Sequence, residues 1–177
     1  MSIPSGQVRC HGCDYQGLMQ HRAVTLRYTL PDGMFVDSCR AFGWCKACDG
    51  IREIEVKLDV KAIKQQLDAL NSKRNLSSGF FVRLVDRLLG GGPVDDKPEL
   101  LKLANLLRLA ELRSSPPHCL VCGGGPVSQI DFDDEGTSSN FVHSCGSRLY
   151  LVPSDPDAPR FFYSPEVWSL DVEGHRL

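Results

Sequence analysis

Residues 44–50 read WCKACDG and contain two cysteines, Cys45 and Cys48, with two residues between them. Two thiolates at this spacing can bind one metal ion from a single tight turn. The same spacing recurs at Cys10 and Cys13, with 31 residues between Cys13 and Cys45. One such pair is weak evidence for a metal site, whereas two pairs that approach one another are strong evidence.

The segment between the two pairs favours a β-hairpin. The turn Pro31-Asp32-Gly33 separates a β-rich stretch over 23–30 from a second stretch over 35–42. A hairpin brings its two ends together, so we predict one zinc ion bound by Cys10, Cys13, Cys45 and Cys48. We expect Cys39, in the returning strand, to be a buried structural thiol. The alternatives for Cys39 are a redox-sensitive thiol or a substitute ligand.

A second, less complete set of cysteines lies nearer the C-terminus. Cys119 and Cys122 repeat the spacing, but a single cysteine, Cys145, lies on the far side of the next predicted hairpin, with strands over 127–132 and 141–150. His143 is the leading fourth ligand, because residues two apart in a strand share a face and neutral imidazole binds zinc. His118, beside Cys119, is the alternative. We therefore predict a second zinc site at Cys119, Cys122, His143 and Cys145.

The chain between these two sets has helical periodicity. Apolar residues recur at helical spacing from Val60 to Leu70, from Ser78 to Leu89, and from Pro98 to Arg113 after an N-cap at Asp96. The third segment is apolar most of the way round, which favours a buried central helix. The alternative is that its leucines face a partner or a second copy of the chain.

The order of parts resembles the zinc-ribbon class, in which two cysteine-containing turns face each other across a β-hairpin around one structural zinc. The resemblance covers residues 8–57 and 117–152, and it implies one zinc ion in each module. The second module departs from the class in having His-x-Cys as its last ligand pair, and the first has Asp14 where glycine is common. The predicted fold class is α+β, with two zinc-ribbon-like β modules joined by about three α-helices. The predicted domains are an N-terminal module over 1–57, a helical connecting segment over 58–115, and a C-terminal module with an extended tail over 116–177.

The sequence also favours a cytoplasmic location. Its first ten residues lack the basic start and apolar run of a secretory signal, and no apolar stretch approaches the roughly 20 residues that span a bilayer. We therefore expect no membrane association. In a reducing compartment the eight cysteines are better explained as metal ligands than as disulfides.

The predicted sites favour binding over catalysis. Four protein ligands close a zinc shell, and the sequence has neither a glycine-rich phosphate loop nor a Gly-x-Ser-x-Gly elbow. We expect a non-enzymatic adaptor that binds another protein, with its oligomeric state left open. The alternative is nucleic-acid binding, although the three predicted domains carry balances of +1, +3 and −6 in order. Its candidate cations are Arg22, Arg27, Lys61, Lys64, Lys73 and Arg74.

Overall fold

The structure is a computed structural model that describes residues 2–3, 5–20, 23–77, 97–152, 161–162 and 164–177. No helix among these residues is both long enough and apolar enough to cross a bilayer. The strands within these ranges are β1 (Ser2–Ile3), β2 (Ser5–Cys10), β3 (Gln16–Gln20), β4 (Val24–Thr29), β5 (Phe35–Ser38), β6 (Arg40–Cys45), β7 (Gly50–Glu55), β8 (Val127–Gln129), β9 (Leu149–Val152), β10 (Phe161–Phe162) and β11 (Glu166–Leu170). The helices are α1 (Val60–Ser77) and α2 (Lys97–Leu112).

Each three-stranded sheet combines an N-terminal hairpin with one strand from the C-terminal part of the chain. The β2–β3 hairpin pairs with β9, and the β6–β7 hairpin pairs with β8, both in antiparallel register. The β4–β5 hairpin pairs with β11, which runs parallel to β4. Strands β1 and β10 form a separate antiparallel pair.

The predicted fold of two separate modules joined by about three helices is therefore wrong. The described residues are mainly β structure with two helices, and their sheets join both ends of the chain. The predicted hairpin around Pro31-Asp32-Gly33 does form, but it ends at Ser38 and a new strand begins at Arg40. Because of this break, the hairpin does not bring Cys10 and Cys45 together.

Strand register instead places the cysteine turns beside C-terminal partners. Cys10 ends β2 and lies opposite Leu149, the first residue of β9. Cys45 ends β6 and lies opposite Val127, the first residue of β8. In both sheets, the chain that leads into the C-terminal strand must therefore pass the end of the hairpin where the cysteines lie.

The helices pack against each other and place one face towards the sheets. Asp59 caps α1, since its Oδ1 accepts hydrogen bonds from the backbone N–H groups of Lys61 and Ala62. In α2, Leu103 and Leu109 are buried, whereas Leu101 is 61% exposed. The expectation that this helix is buried most of the way round is thus wrong within the chain. The predicted helix from Ser78 to Leu89 and the predicted cap at Asp96 lie outside the described residues.

Two apolar clusters form the core. One contains Trp44, Ile51 and Leu149 and lies beside the cysteine turns, with Cys10 among its buried members. The other contains Leu26 and Leu170 from the β4–β5–β11 sheet and Leu109 from α2. The cysteine turns are thus attached to a packed core on one side and open to solvent on the other.

Candidate metal centres

The first group of donor atoms, which we term the inner centre, consists of Cys45, Cys48, Cys119 and Cys122. Their four sulfurs lie within 4.8 Å of one another. The Cys45 and Cys122 sulfurs are 3.7 Å apart, and the Cys48 and Cys119 sulfurs are 4.0 Å apart. Zinc–sulfur bonds of about 2.3 Å in a tetrahedron separate the sulfurs by about 3.8 Å. The donor set and its spacing therefore fit one zinc ion.

Short-range backbone geometry holds the two turns of the inner centre. After Cys45 the chain turns through Asp49, which has a positive φ of 46°, into β7. Cys119 forms an isolated β-bridge with Ile54 of β7. The N–H of Gly123 donates to the carbonyl of Cys119 at 2.8 Å, and Gly123 has a φ of 70°. Glycine adopts this conformation without strain, so the residue after the last cysteine closes the turn.

The second group, which we term the outer centre, consists of Cys10, Cys13, His143 and Cys145. Its four donor atoms also lie within 4.8 Å of one another. The Cys10 and Cys145 sulfurs are 3.3 Å apart, and His143 Nδ1 lies 3.5 Å from the Cys13 sulfur and 3.4 Å from that of Cys145. Three sulfurs and one imidazole nitrogen at these distances form an ordinary zinc ligand set.

The turn that contains His143 and Cys145 is a tight loop held by its own backbone hydrogen bonds. The N–H of His143 donates to the carbonyl of Ser147 at 2.8 Å, and the N–H of Gly146 donates to the carbonyl of His143 at 2.8 Å. Gly146 has a φ of 86°, so it has the same role as Gly123 in the inner centre. The N–H of His11 donates to the carbonyl of Arg148 at 3.1 Å, which joins this loop to the Cys10 turn.

The thiols of the two centres differ in how readily they lose a proton. A hydrogen bond from His143 lowers the pKa of Cys145 to about 6, and one from the backbone N–H of Gly124 lowers the pKa of Cys122 to about 7. In the inner centre, burial raises the pKa of Cys119 to about 12. Zinc binds the deprotonated thiolate, and a divalent cation in either centre would offset the repulsion between neighbouring thiolates.

An aromatic cluster connects the two centres. Trp44 directly precedes the ligand Cys45, and its ring centroid lies 5.0 Å from that of His143 in an edge-on arrangement. The Tyr15 ring lies 5.0 Å from Trp44 and 5.1 Å from His143. The Tyr15 hydroxyl accepts a hydrogen bond from the backbone N–H of Ile51 at 3.0 Å. The two centres are therefore joined by one packed group of aromatic side chains.

Each centre thus places two turns on opposite sides of its donor atoms, an arrangement compatible with a zinc-binding module. The chain matches no known protein family, characterised protein or solved structure. Its description as a metal-binding protein therefore rests on the two donor sets and their geometry.

All eight predicted ligand residues lie in these two clusters, but the structure groups them differently from the prediction. Cys10 and Cys13 lie with His143 and Cys145, and not with Cys45 and Cys48. The pairing is nested: in the sequence, the two turns of the inner centre lie between the two turns of the outer centre.

His118, the alternative fourth ligand, belongs to a different cluster. Its backbone N–H donates to Glu55 Oε2 at 2.7 Å, and its ring stacks on His175. Glu55 is fully buried and receives hydrogen bonds from Arg113 at 2.8 and 2.6 Å and from Tyr28 at 2.7 Å. Sequence reasoning missed this cluster, because a single glutamate in an alternating strand gives no sign of burial.

Cys39 lies in neither cluster and is exposed. The expectation that it is a buried structural thiol is therefore wrong. The strand break between Ser38 and Arg40 explains the difference, since Cys39 occupies the break itself and not a position within a strand.

Proposed function

We propose that the protein is a non-enzymatic interaction protein in which two zinc ions have a structural role. The observation that carries this proposal is the completeness of both donor sets. Each contains four protein donors within 4.8 Å of one another. A tetrahedral zinc with four protein ligands has no position left for an activated water.

Exposed apolar side chains support a protein as the partner. Leu18 is 55% exposed and Val121 is 62% exposed, and both line the same groove. Apolar groups that cluster on a surface commonly mark sites where another protein binds. Val121 lies within the inner-centre turn, so such a surface would depend on the metal.

The nucleic-acid alternative receives less support from the candidate cations. Arg27 forms a two-pronged ion pair with Asp37 at 2.7 and 2.9 Å, and Lys64 pairs with Glu111 at 3.1 Å. Arg22 and the side chains of Lys73 and Arg74 lie outside the described residues. Cations that already have carboxylate partners contribute less to binding a phosphate backbone.

The proposal can be tested by chemical crosslinking of the zinc-loaded full-length chain in native cell extract, followed by mass spectrometry. We expect about two zinc ions per chain, as for two complete centres, and one discrete adduct with a second protein. The adduct should disappear after the metal has been removed with a chelator and should return when zinc is restored. A chain that gives no adduct, or whose only adducts are unaffected by zinc, would count against the proposal.

A further inference from the structure

A groove of about 640 Å³ lies beside the inner centre. It is lined by Leu18 of β3, by residues 51–53 of β7, by Leu120 and Val121, and by Trp168 of β11 with the nearby Arg176. The groove therefore brings together residues from four separate parts of the sequence.

The inner centre fixes the apolar side of this groove. Leu120 and Val121 are the two residues between the ligands Cys119 and Cys122, and both line the groove. The N–H of Leu120 donates to the carbonyl of Glu53 at 2.9 Å, which holds the turn against β7. Zinc bound to the cysteine sulfurs would hold the apolar pair in one arrangement before any partner binds. Such preorganisation reduces the entropy cost of binding.

Two arginines give the groove a positive charge. The Arg176 guanidinium lies over the Trp168 ring, 4.8 Å from its centroid, and Arg52 Nη1 donates to the carbonyl of Ile51 at 2.8 Å. Within the part of the chain that the structure describes, neither arginine pairs with a carboxylate. The acidic residue of the groove, Glu53, is neutralised by Arg40 at 2.9 Å.

We propose that this groove binds an acidic peptide segment of another protein, in which one large apolar side chain lies between Asp or Glu residues. The apolar side chain would contact Leu18, Leu120 and Val121, and the carboxylates would pair with Arg52 and Arg176. Arginine binds carboxylates through two parallel hydrogen bonds, which favours this partner chemistry. Two cations are too few for strong binding of a phosphate backbone. This inference rests on the proposed function and specifies the partner.

An array of eight-residue peptides, probed with the zinc-loaded full-length chain, tests the proposal. One set carries Leu, Phe or Trp flanked by Asp and Glu; a second replaces the acids by Lys, and a third replaces the apolar residue by Ser. We expect the chain to bind only the first set. We expect the double variant Arg52→Glu/Arg176→Glu to bind these peptides at least about tenfold more weakly, since each pair involves charged hydrogen bonds. The same variant should gain affinity for the lysine set.

Matched variants separate the groove from other surfaces. Lys61→Glu/Lys102→Glu makes the same charge change on exposed residues of α1 and α2, and it should alter peptide affinity by less than about twofold. Leu18→Ser should weaken binding, whereas Leu101→Ser, which removes a similarly exposed leucine from α2, should not. Zinc content is measured for every variant, so that a lost centre is not mistaken for a lost contact.

The possible outcomes distinguish this inference from the proposed function. Acidic peptides whose binding is indifferent to the arginine variant would overturn the groove assignment and leave an interaction protein. An adduct in cell extract that still forms with Arg52→Glu/Arg176→Glu would also overturn the groove assignment and leave an interaction protein. An arginine-dependent complex with a 12-nucleotide RNA or DNA strand, in place of peptide, would overturn the peptide proposal. The absence of both peptide binding and any extract adduct would overturn the inference and the proposed function together.

Discussion

The inner and outer centres have nearly the same donors but differ in burial and in how far along the chain their ligands lie. In the inner centre two cysteines, Cys45 and Cys119, are buried and Cys122 is exposed, and its turns are joined across 71 to 77 residues. In the outer centre only Cys10 is buried, Cys13 and Cys145 are exposed, and its turns are joined across 130 to 135 residues. We therefore expect the inner centre to contribute more to the stability of the fold, with the outer centre joining the more distant turns around it.

Loop closure explains why the order matters. Closing a longer loop costs more conformational entropy than closing a shorter one. Once the inner centre has formed, the chain between the turns of the outer centre is already constrained, so the outer centre has less entropy to lose. We therefore expect loss of the inner centre to weaken the outer centre more than the reverse.

The largest effect is expected for Cys119→Ser. This change removes a buried ligand of the inner centre, and structural zinc contributes on the order of 10 kcal/mol to the folding of small metal-dependent domains. We predict the loss of at least one zinc ion per chain and a large fall in the denaturant midpoint. Metal quantification and urea unfolding measure both quantities. Cys39→Ser, the same substitution at an exposed cysteine outside both clusters, serves as the control and should retain two zinc ions.

A smaller effect is expected for His143→Ala. The variant should lose the outer zinc and keep the inner one, so that zinc content falls from about two to about one per chain. Its affinity loss should exceed the roughly 10–100-fold that removal of an outer-shell partner costs. His143→Cys should restore the second zinc, and His175→Ala should leave both in place. A His143→Ala chain that keeps two tightly bound zinc ions would show that the imidazole is not a ligand.

Breaking the buried ion pair behind the inner centre should have the next largest effect. Glu55→Gln leaves the Arg113 guanidinium, which is 8% exposed, without its charge partner. Loss of one member of a buried pair costs about 3–5 kcal/mol. The exposed pair of Arg27 and Asp37 provides the comparison, since Asp37→Asn should cost about 1 kcal/mol or less. Equal losses of unfolding free energy in the two variants would show that the Glu55 cluster does not support the fold.

The smallest effect is expected for Gly123→Ala. A Cβ at Gly123 would meet open space, but its φ of 70° is unfavourable for alanine. The cost should be about 1–2 kcal/mol and should appear as weaker zinc binding at the inner centre. Gly33→Ala, with a φ of 82° in a turn distant from the ligands in the sequence, should destabilise the fold without changing zinc affinity. A chelator titration of both variants separates the two effects.

Local features of the fold could be predicted from the sequence because short-range chemistry determines them. The α1 stripe is an example, since Ile63 is buried while Lys61, Lys64 and Gln65 on the other faces are exposed. The turns after Cys122 and Cys145 are another, because only glycine adopts a positive φ there without strain. The spacing of the cysteines likewise indicated which residues lie in the two donor clusters.

The pairing of the turns could not be predicted. Four cysteine-containing turns can form two pairs in three ways. The spacing of ligands within a turn does not depend on which other turn it pairs with, so it does not distinguish these three arrangements. The choice depends on long-range pairing of β2 with β9 and of β6 with β8. The sequence predicts strands near both β8 and β9, but as a hairpin paired with each other, and segments of three and four residues do not show which distant hairpin they join. Pairing the turns that are nearest in the sequence therefore predicted the wrong sets of four ligands.

X-ray absorption spectroscopy of a one-zinc variant tests the nested pairing most directly. In Cys119→Ser/Cys122→Ser, nested pairing leaves all four outer ligands in place, so the zinc that this variant still binds should have three sulfur ligands and one nitrogen ligand. In Cys10→Ser/Cys13→Ser, the remaining zinc should have four sulfur ligands. Pairing of neighbouring turns in the sequence predicts the opposite result for each variant. Four sulfurs around the zinc of Cys119→Ser/Cys122→Ser would contradict the nested arrangement.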